Sequence, residues 1–268
     1  MTKLYSTSAK IEKSNKSDYG YYTLAQYLSP ASESGWQLCP YRSPACEAAC
    51  LGHSSGLMVT STSKNARITR TTLFMTDRKA YAAQAIKELS ALERKCAKLG
   101  VKAAARPNAD SDITWENIRF QYARINGPVP IVNISLMSDS HKYSQTIMEL
   151  FPNIQFYDYT KWPSKFRPAS RLPANYHLTF SRSEITTLDD IQAEFDAGRN
   201  VAVVFDEVPT EWEGWTVING DADDLRHLDP VGVIVGLKAK GAALKETEGF
   251  VVRLVTKVVD GKIVKIDA

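Results

Sequence analysis

The sequence predicts an α/β protein built on a parallel sheet, a complete or partial TIM-barrel-like barrel with a C-terminal β-hairpin. Short, continuous apolar runs alternate with segments of helical spacing, which is typical of parallel strands that are covered on both faces. Polar side chains follow several of these runs, as they do at the carboxyl edge of parallel barrels. The 268 residues, 44% of them hydrophobic, suffice for one large core, and no linker or repeat divides them. We therefore expect a single barrel-like domain over residues 1–268.

The predicted strands are runs rich in β-branched and aromatic residues. They are Tyr21 to Leu28, Val101 to Arg106, Ile131 to Ile134, Ile154 to Tyr157, Tyr176 to Phe180, Val201 to Phe205 and Val231 to Gly236. The predicted helices are Lys64 to Arg78, Lys79 to Leu99, Thr114 to Arg124, Tyr143 to Phe151 and Leu188 to Ala197. Gly100 and Gly198 stand in helix-stop positions, and Pro152 ends the helix before it.

The end of the chain departs from this alternation. Gly249 to Val259 and Lys262 to Ile266 are two strand-like runs joined by Asp260-Gly261, a dipeptide typical of tight hairpin turns. We expect residues 249–266 to form an antiparallel hairpin that packs on the main body.

Three of the four cysteines, Cys39, Cys46 and Cys50, lie within twelve residues, directly after the first predicted strand. Thiols grouped this closely in a reducing compartment indicate a metal site rather than a disulfide framework. With no fourth cysteine nearby, they predict a [4Fe-4S] cluster with one open iron. A zinc ion completed by His53 and a site without metal remain open. Cys96 lies on a helical pattern and is expected in the core.

Charged residues after the second and fourth predicted strands are candidates for catalysis. They are Arg106, Asp112, Asp158 and Lys161. The carboxyl ends of parallel strands meet at one edge, so these side chains should converge near the cysteine loop. Helix caps and turns also require polar residues, and Asp112 fits a cap equally well.

Two further groups of charged residues could bind a ligand or have a purely structural role. Lys64, Arg67 and Arg70 recur at helical spacing and could attract an anion or form a solvated helix face. Asp221, Asp224 and Arg226 could bind a cation or polar ligand, or form a salt-bridged turn.

Basic and acidic residues are nearly balanced, 33 against 30, and the resulting formal charge of +3 is too small to indicate a nucleic-acid partner. Five tryptophans could stack on bases, but no basic tract accompanies them, so a small-molecule ligand at the open iron ranks above nucleic acid. No long apolar run predicts a membrane span, and we expect a cytoplasmic protein. The tryptophans are Trp36, Trp115, Trp162, Trp212 and Trp215.

Five sequence blocks, taken in order, resemble a phage-encoded family labelled gene product eighty-eight. They are Cys39-Pro40 with Cys46 and Cys50, Arg106 to Ile113, Phe156 to Lys161, Tyr176 to Ser181, and Asn219 to Arg226 with Gly236 to Gly241. The resemblance extends over residues 20 to 242 and implies a viral protein of the host cytoplasm. Its cysteine block is similar to ligand sets that hold iron-sulfur clusters. The family is usually shorter where this chain carries Gly127 to Ser140.

A looser resemblance is to radical S-adenosylmethionine enzymes, which hold a cluster on three cysteines after the first barrel strand. The cysteine spacing here differs from theirs, so their chemistry is doubtful. Two functional hypotheses follow. Either an open iron anchors a substrate beside the four charged candidates, or the protein is a non-catalytic redox or iron sensor or accessory factor.

Overall fold

The computed structural model describes residues 2–123, 131–133, 144–259 and 262–267. The strands are β1 Tyr5–Ser6, β2 Tyr21–Gln26, β3 Lys102–Arg106, β4 Arg119–Ala123, β5 Ile131–Asn133, β6 Ser144–Thr146, β7 Ile154–Thr160, β8 Tyr176–Ser181, β9 Val201–Phe205, β10 Glu211–Trp212, β11 Trp215–Asn219, β12 Ile234–Lys238, β13 Val251–Val252, β14 Leu254–Val259 and β15 Lys262–Asp267. The helices are α1 Ala9–Asn15, α2 Pro44–Ala48, α3 Leu51–Ser54, α4 Ser61–Thr76, α5 Arg78–Leu99, α6 Ile147–Leu150 and α7 Leu188–Asp196.

The main sheet has the order β1-β2-β3-β7-β8-β9-β12-β11-β10. Every neighbouring pair from β2 across to β11 is parallel. The outermost strands β1 and β10 are antiparallel to their neighbours, and β13 pairs in parallel with the second half of β9. The predicted α/β class and the mostly parallel sheet are confirmed.

A closed barrel is not shown. Within the described ranges, β1 and β10 are the two ends of the sheet and do not pair with each other. After β9, the chain forms β11 towards the edge of the sheet. The following strand, β12, then lies between β9 and β11. This reversal breaks the regular progression of strands by which a parallel barrel closes.

The two faces of the sheet have different covers because side chains alternate along each strand. On one face, Ala103, Ala105 and Phe156 pack in a cluster with apolar residues of α4 and α5. On the other, Ala104 and Tyr157 contact the connection between β11 and β12 through Leu225. The ring of His227 in that connection lies 4.8 Å from the ring of Tyr21.

Two predicted helices are wrong in whole or part. Instead of a helix over Thr114 to Arg124, a 3-10 turn at Trp115–Asn117 leads into β4, which pairs with β5 and β6. Instead of a helix from Tyr143, β6 precedes the short helix α6. Pairing between these segments outweighs their local helical spacing. Arg124, Tyr143 and all of Gly127 to Ser140 except Ile131–Asn133 lie outside the described residues.

The C-terminal hairpin is confirmed in part. β14 and β15 pair antiparallel, with Leu254 opposite Asp267. The preceding Val251–Val252 joins the main sheet instead, and the predicted turn at 260–261 lies outside the described residues. The last core strand begins at Ile234 rather than Val231, whose side chain is exposed.

Candidate functional site

The loops after β2 and β3 are joined at the carboxyl edge of the sheet. The backbone N–H of Asp112 donates to the carbonyl of Leu38 at 2.9 Å, and that of Ala109 donates to Gln26 at 3.1 Å. The loop that carries the cysteines is therefore fixed on one side by the loop that carries the charged candidates.

The segment after β8 also bonds to the loop that carries the cysteines. Both carboxylate oxygens of Glu184 accept hydrogen bonds from the start of α2, one from the Ser43 hydroxyl at 2.5 Å and one from the Ala45 N–H at 3.0 Å. The Ser43 hydroxyl in turn caps the helix by accepting from the Cys46 N–H at 3.3 Å. The loops after β3 and β8 thus hold the cysteine segment in place.

The three thiols of this segment are partly buried and lie within electrostatic reach of one another. Burial raises the pKa of Cys39 and of Cys50 to about 12, and the neighbouring thiols add to both shifts. The Ala31 N–H opposes the shift at Cys39 by donating to Sγ at 3.4 Å. Ala31 has φ 45, in the left-handed region that non-glycine residues rarely adopt. The backbone there is bent in a way that directs a donor at the sulfur.

All four cysteines belong to the part of the chain that the structure describes. Within that part, no three His, Cys, Asp or Glu side chains are arranged to hold a single metal ion. The exposed His53 places its Nε2 3.1 Å from the Glu47 carbonyl oxygen. Cys96 lies in the core, as predicted, with its Sγ 3.9 Å from the Tyr22 carbonyl oxygen. It therefore lies at the start of β2, whereas the other three cysteines follow the end of that strand.

Asp110 is a site residue that sequence reasoning missed. Its carbonyl oxygen lies 3.8 Å from Cys39 Sγ, and its side chain packs against Gly52, where an added Cβ would lie 3.2 Å from the Asp110 Cγ. Its Oδ2 is enclosed and has no hydrogen-bond partner, and burial raises the pKa of this carboxyl to about 6. We call Cys39, Cys46, Cys50, Gly52 and Asp110 the cysteine corner.

Asp112 and Asp158, two of the catalytic candidates, belong to a buried polar network. Asp112 accepts from the Thr160 hydroxyl at 2.8 Å and the Lys161 N–H at 2.7 Å. Asp158 accepts from the Tyr176 hydroxyl at 2.7 Å. The full network comprises Asn108, Asp112, Glu116, Asp158, Thr160, Arg167 and Tyr176.

Arg167 is the cation of this network. Its side chain is 1% exposed and makes two hydrogen bonds of 2.7 Å to the carboxylate of Glu116. It also lies 3.4 Å from Asp112 Oδ1. Burial raises the pKa of Asp158 to about 7, against the opposing hydrogen bond from Tyr176. Both aspartates have partners on each carboxylate oxygen, so the network can fix the loops without a ligand.

The other two catalytic candidates point elsewhere. Lys161 Nζ donates to the Ser181 hydroxyl at 2.9 Å and to the Arg182 carbonyl at 2.6 Å. Burial lowers the pKa of Lys161, and the nearby Cys46 opposes that shift. Arg106 forms an ion pair of 3.2 Å with Asp224. The four candidates therefore share an edge of the sheet, but their side chains do not converge on one point.

Most members of the two further charged groups are bonded within the protein, and Lys64 is exposed. Arg67 is buried against Glu33, with ion-pair distances of 2.9 and 3.1 Å, and Arg70 donates to the Lys3 carbonyl at 2.7 Å. Arg226 pairs with Asp223 and Asp229, which confirms the salt-bridged alternative for that loop.

The tryptophans pack within the protein. The buried Trp115 donates through Nε1 to Asn108 Oδ1 at 3.0 Å, and the rings of Trp162 and Tyr41 lie 4.1 Å apart. Within the part of the chain that the structure describes, no helix combines the length and apolar character needed to cross a membrane.

A family model described as Gene product 88 matches residues 2–254. The chain belongs to the Gene product 88 family. This agrees with the phage gene-product family that the five sequence blocks indicated, over a longer stretch than the blocks cover. The Gene product 88 match lends no support to the looser resemblance to radical S-adenosylmethionine enzymes. No curated protein and no solved structure matches the chain.

Proposed function

We propose that this Gene product 88 protein binds a [4Fe-4S] cluster through Cys39, Cys46 and Cys50, with one iron that no cysteine holds. The observation that carries the proposal is that three thiols of one loop lie within electrostatic reach of one another at the carboxyl edge of a parallel sheet. This is the edge at which α/β proteins bind ligands.

The chemistry of the cysteine corner fits such a group. Thiolates are the usual ligands of iron-sulfur clusters, and backbone N–H groups that donate to sulfur, as Ala31 does to Cys39, tune them. A cluster binds each thiolate to a different iron, so the sulfurs need not converge on a single point. A zinc ion held by the same thiols is the alternative, and analysis of the bound metal distinguishes the two.

The residues around the thiols have defined tasks in this proposal. Glu184 and the loop after β3 hold the cysteine segment, and Lys161 lies within electrostatic reach of Cys46. Cys39 and Cys50, whose pKa values are raised, must release protons when they bind metal. When bound, the cluster would supply an electron or a Lewis-acidic iron.

A redox or iron-sensing role, or an accessory one, is the second candidate. It is favoured by the pairing of Arg106, Asp112, Asp158 and Lys161, each of which is already bonded within the protein. As an enzyme, the protein would bind a small molecule at the iron, with Lys161 and Arg106 as candidates for contacts to an anionic group.

Anaerobic purification with iron and sulfide analysis tests the proposal. We expect a brown protein with about four irons and four sulfides per chain. Cys39→Ala, Cys46→Ala or Cys50→Ala should abolish the colour. Cys96→Ala is the matched control and should retain it, because Cys96 lies in the core at the other end of β2. A colourless protein with one bound zinc per chain would reject the cluster.

A further inference from the structure

The carboxylate of Asp110 lies in an unusual environment. Its Oδ2 is enclosed by protein and accepts no hydrogen bond. The residue as a whole is only partly buried, so one carboxylate oxygen is withdrawn from water without a partner. Native proteins normally pair such an oxygen or bind it to a metal.

The nearby cations do not relieve this cost by direct contact. Arg67 directs its guanidinium at Glu33 with two short contacts, and Arg106 pairs with Asp224. Both lower the pKa of Asp110 from a distance, yet burial still raises it to about 6. The carboxylate is therefore close to positive charge without being bonded to it.

Asp110 also contacts both ends of the cysteine segment. Its carbonyl oxygen is 3.8 Å from Cys39 Sγ. Its Cβ and Cγ lie so close to Gly52, two residues after Cys50, that a side chain at this glycine would meet them at 3.3 and 3.2 Å. Because Gly52 has no side chain, the Asp110 carboxylate can pack against the backbone two residues after Cys50.

We propose that Asp110 is the protein ligand of the iron that no cysteine holds. This inference rests on the proposed function. A carboxylate oxygen is a harder ligand than a thiolate and holds cluster iron less firmly. Asp110 therefore occupies the fourth position in the resting protein and leaves it when a small-molecule ligand binds to that iron.

The test compares wild type, Asp110→Asn and Asp110→Cys after anaerobic reconstitution with iron and sulfide. Each sample is oxidised with ferricyanide, and loss of the fourth iron is followed by the electron-spin signal of the three-iron product. We expect Asp110→Asn to lose this iron roughly ten times faster than wild type or more. Asp110→Cys should lose it more slowly than wild type. Asp189→Asn is the matched control, because this aspartate is exposed in the first turn of α7, away from the cysteine corner.

The possible results distinguish a failure of the Asp110 assignment from a failure of the proposed cluster. If wild type and Asp110→Asn show the same electron-spin spectrum and the same rate of iron loss, Asp110 is not a ligand although the cluster stands. If wild type binds no iron and sulfide, or the three cysteine variants bind as much as wild type, the proposed function itself is wrong. Circular dichroism of each variant excludes unfolding as the cause of a lost signal.

Discussion

Asp110 and Asp112 lie on the same loop, two positions apart, but their surroundings differ. Asp112 belongs to the buried polar network, in which each of its carboxylate oxygens has a donor. Asp110 belongs to the cysteine corner, in which its Oδ2 has none. A network with all partners in place stabilises the fold and positions loops. An enclosed oxygen that lacks a partner calls for an explanation, and the proposed role of Asp110 as a ligand depends on this difference from Asp112.

The largest effect is expected from removing the cation of the network. Arg167→Ala leaves the carboxylates of Glu116 and Asp112 buried without their partner. We expect the free energy of unfolding to fall by about 3–5 kcal/mol, measured by urea denaturation. Arg119→Ala is the control, because the Arg119–Glu149 pair is more than one-third exposed on each side and should cost less than about 1 kcal/mol. Equal losses of unfolding free energy in Arg167→Ala and Arg119→Ala would contradict the stabilising role of the buried network.

The pH dependence of stability tests whether the network holds a proton. The carboxyl of Asp158 has a pKa of about 7 when folded and about 4 when unfolded. Between these values the folded state binds the extra proton, so the contribution of Asp158 to stability is greatest below pH 4 and declines as pH rises to 7. Asp158→Asn should remove a slope of about 1 kcal/mol per pH unit from the unfolding free energy. Parallel pH profiles for wild type and variant would show that this carboxyl does not titrate with folding.

Paired substitutions compare the two aspartates directly in protein without metal. Asp112→Asn replaces a bonded oxygen with a donor and weakens the pairing with Arg167, so we expect a loss of about 1–3 kcal/mol. Asp110→Asn removes a poorly solvated charge and should leave stability unchanged or raise it by up to about 1 kcal/mol. Thermal unfolding of both variants measures the difference. If Asp110→Asn is the more destabilising change, the cysteine corner has a structural role that its contacts do not reveal.

The smallest effect is expected at Gly52. Gly52→Ala places a methyl group 3.0 Å from Pro30 Cγ and 3.2 Å from Asp110 Cγ, which pushes the carboxylate away from the thiols. We expect a loss of about 1 kcal/mol in stability, together with faster loss of iron from reconstituted protein. Leu51→Ala, at an exposed neighbour, should change neither. Iron retention equal to wild type in Gly52→Ala would argue against contact between the carboxylate and the metal.

Much of the fold could be predicted because its signals are local. The apolar runs at Val201–Phe205 and Tyr176–Ser181 form strands where expected, and the helix stop at Gly100 is a left-handed residue that ends α5. The segment after Asp112 was mispredicted because its helical spacing is overridden by the pairing of β4 with β5 and β6. The spacing of the cysteines indicated the cysteine segment as a candidate site, and its role as a metal site stays a prediction. Asp110 was missed because a carboxylate without a partner is a property of its surroundings.

From the chain alone came the α/β class, the positions of most strands, the three neighbouring cysteines and the family resemblance. All of these depend on residues that are near one another in sequence. The tertiary structure decided that β1 and β10 stay unpaired with each other in the described part of the chain, because the order of β11 and β12 depends on which distant edges pair. It also decided which charges are bonded, since Asp112 meets Arg167 from another loop, whereas the Asp110 Oδ2 has no hydrogen-bond partner among the described residues.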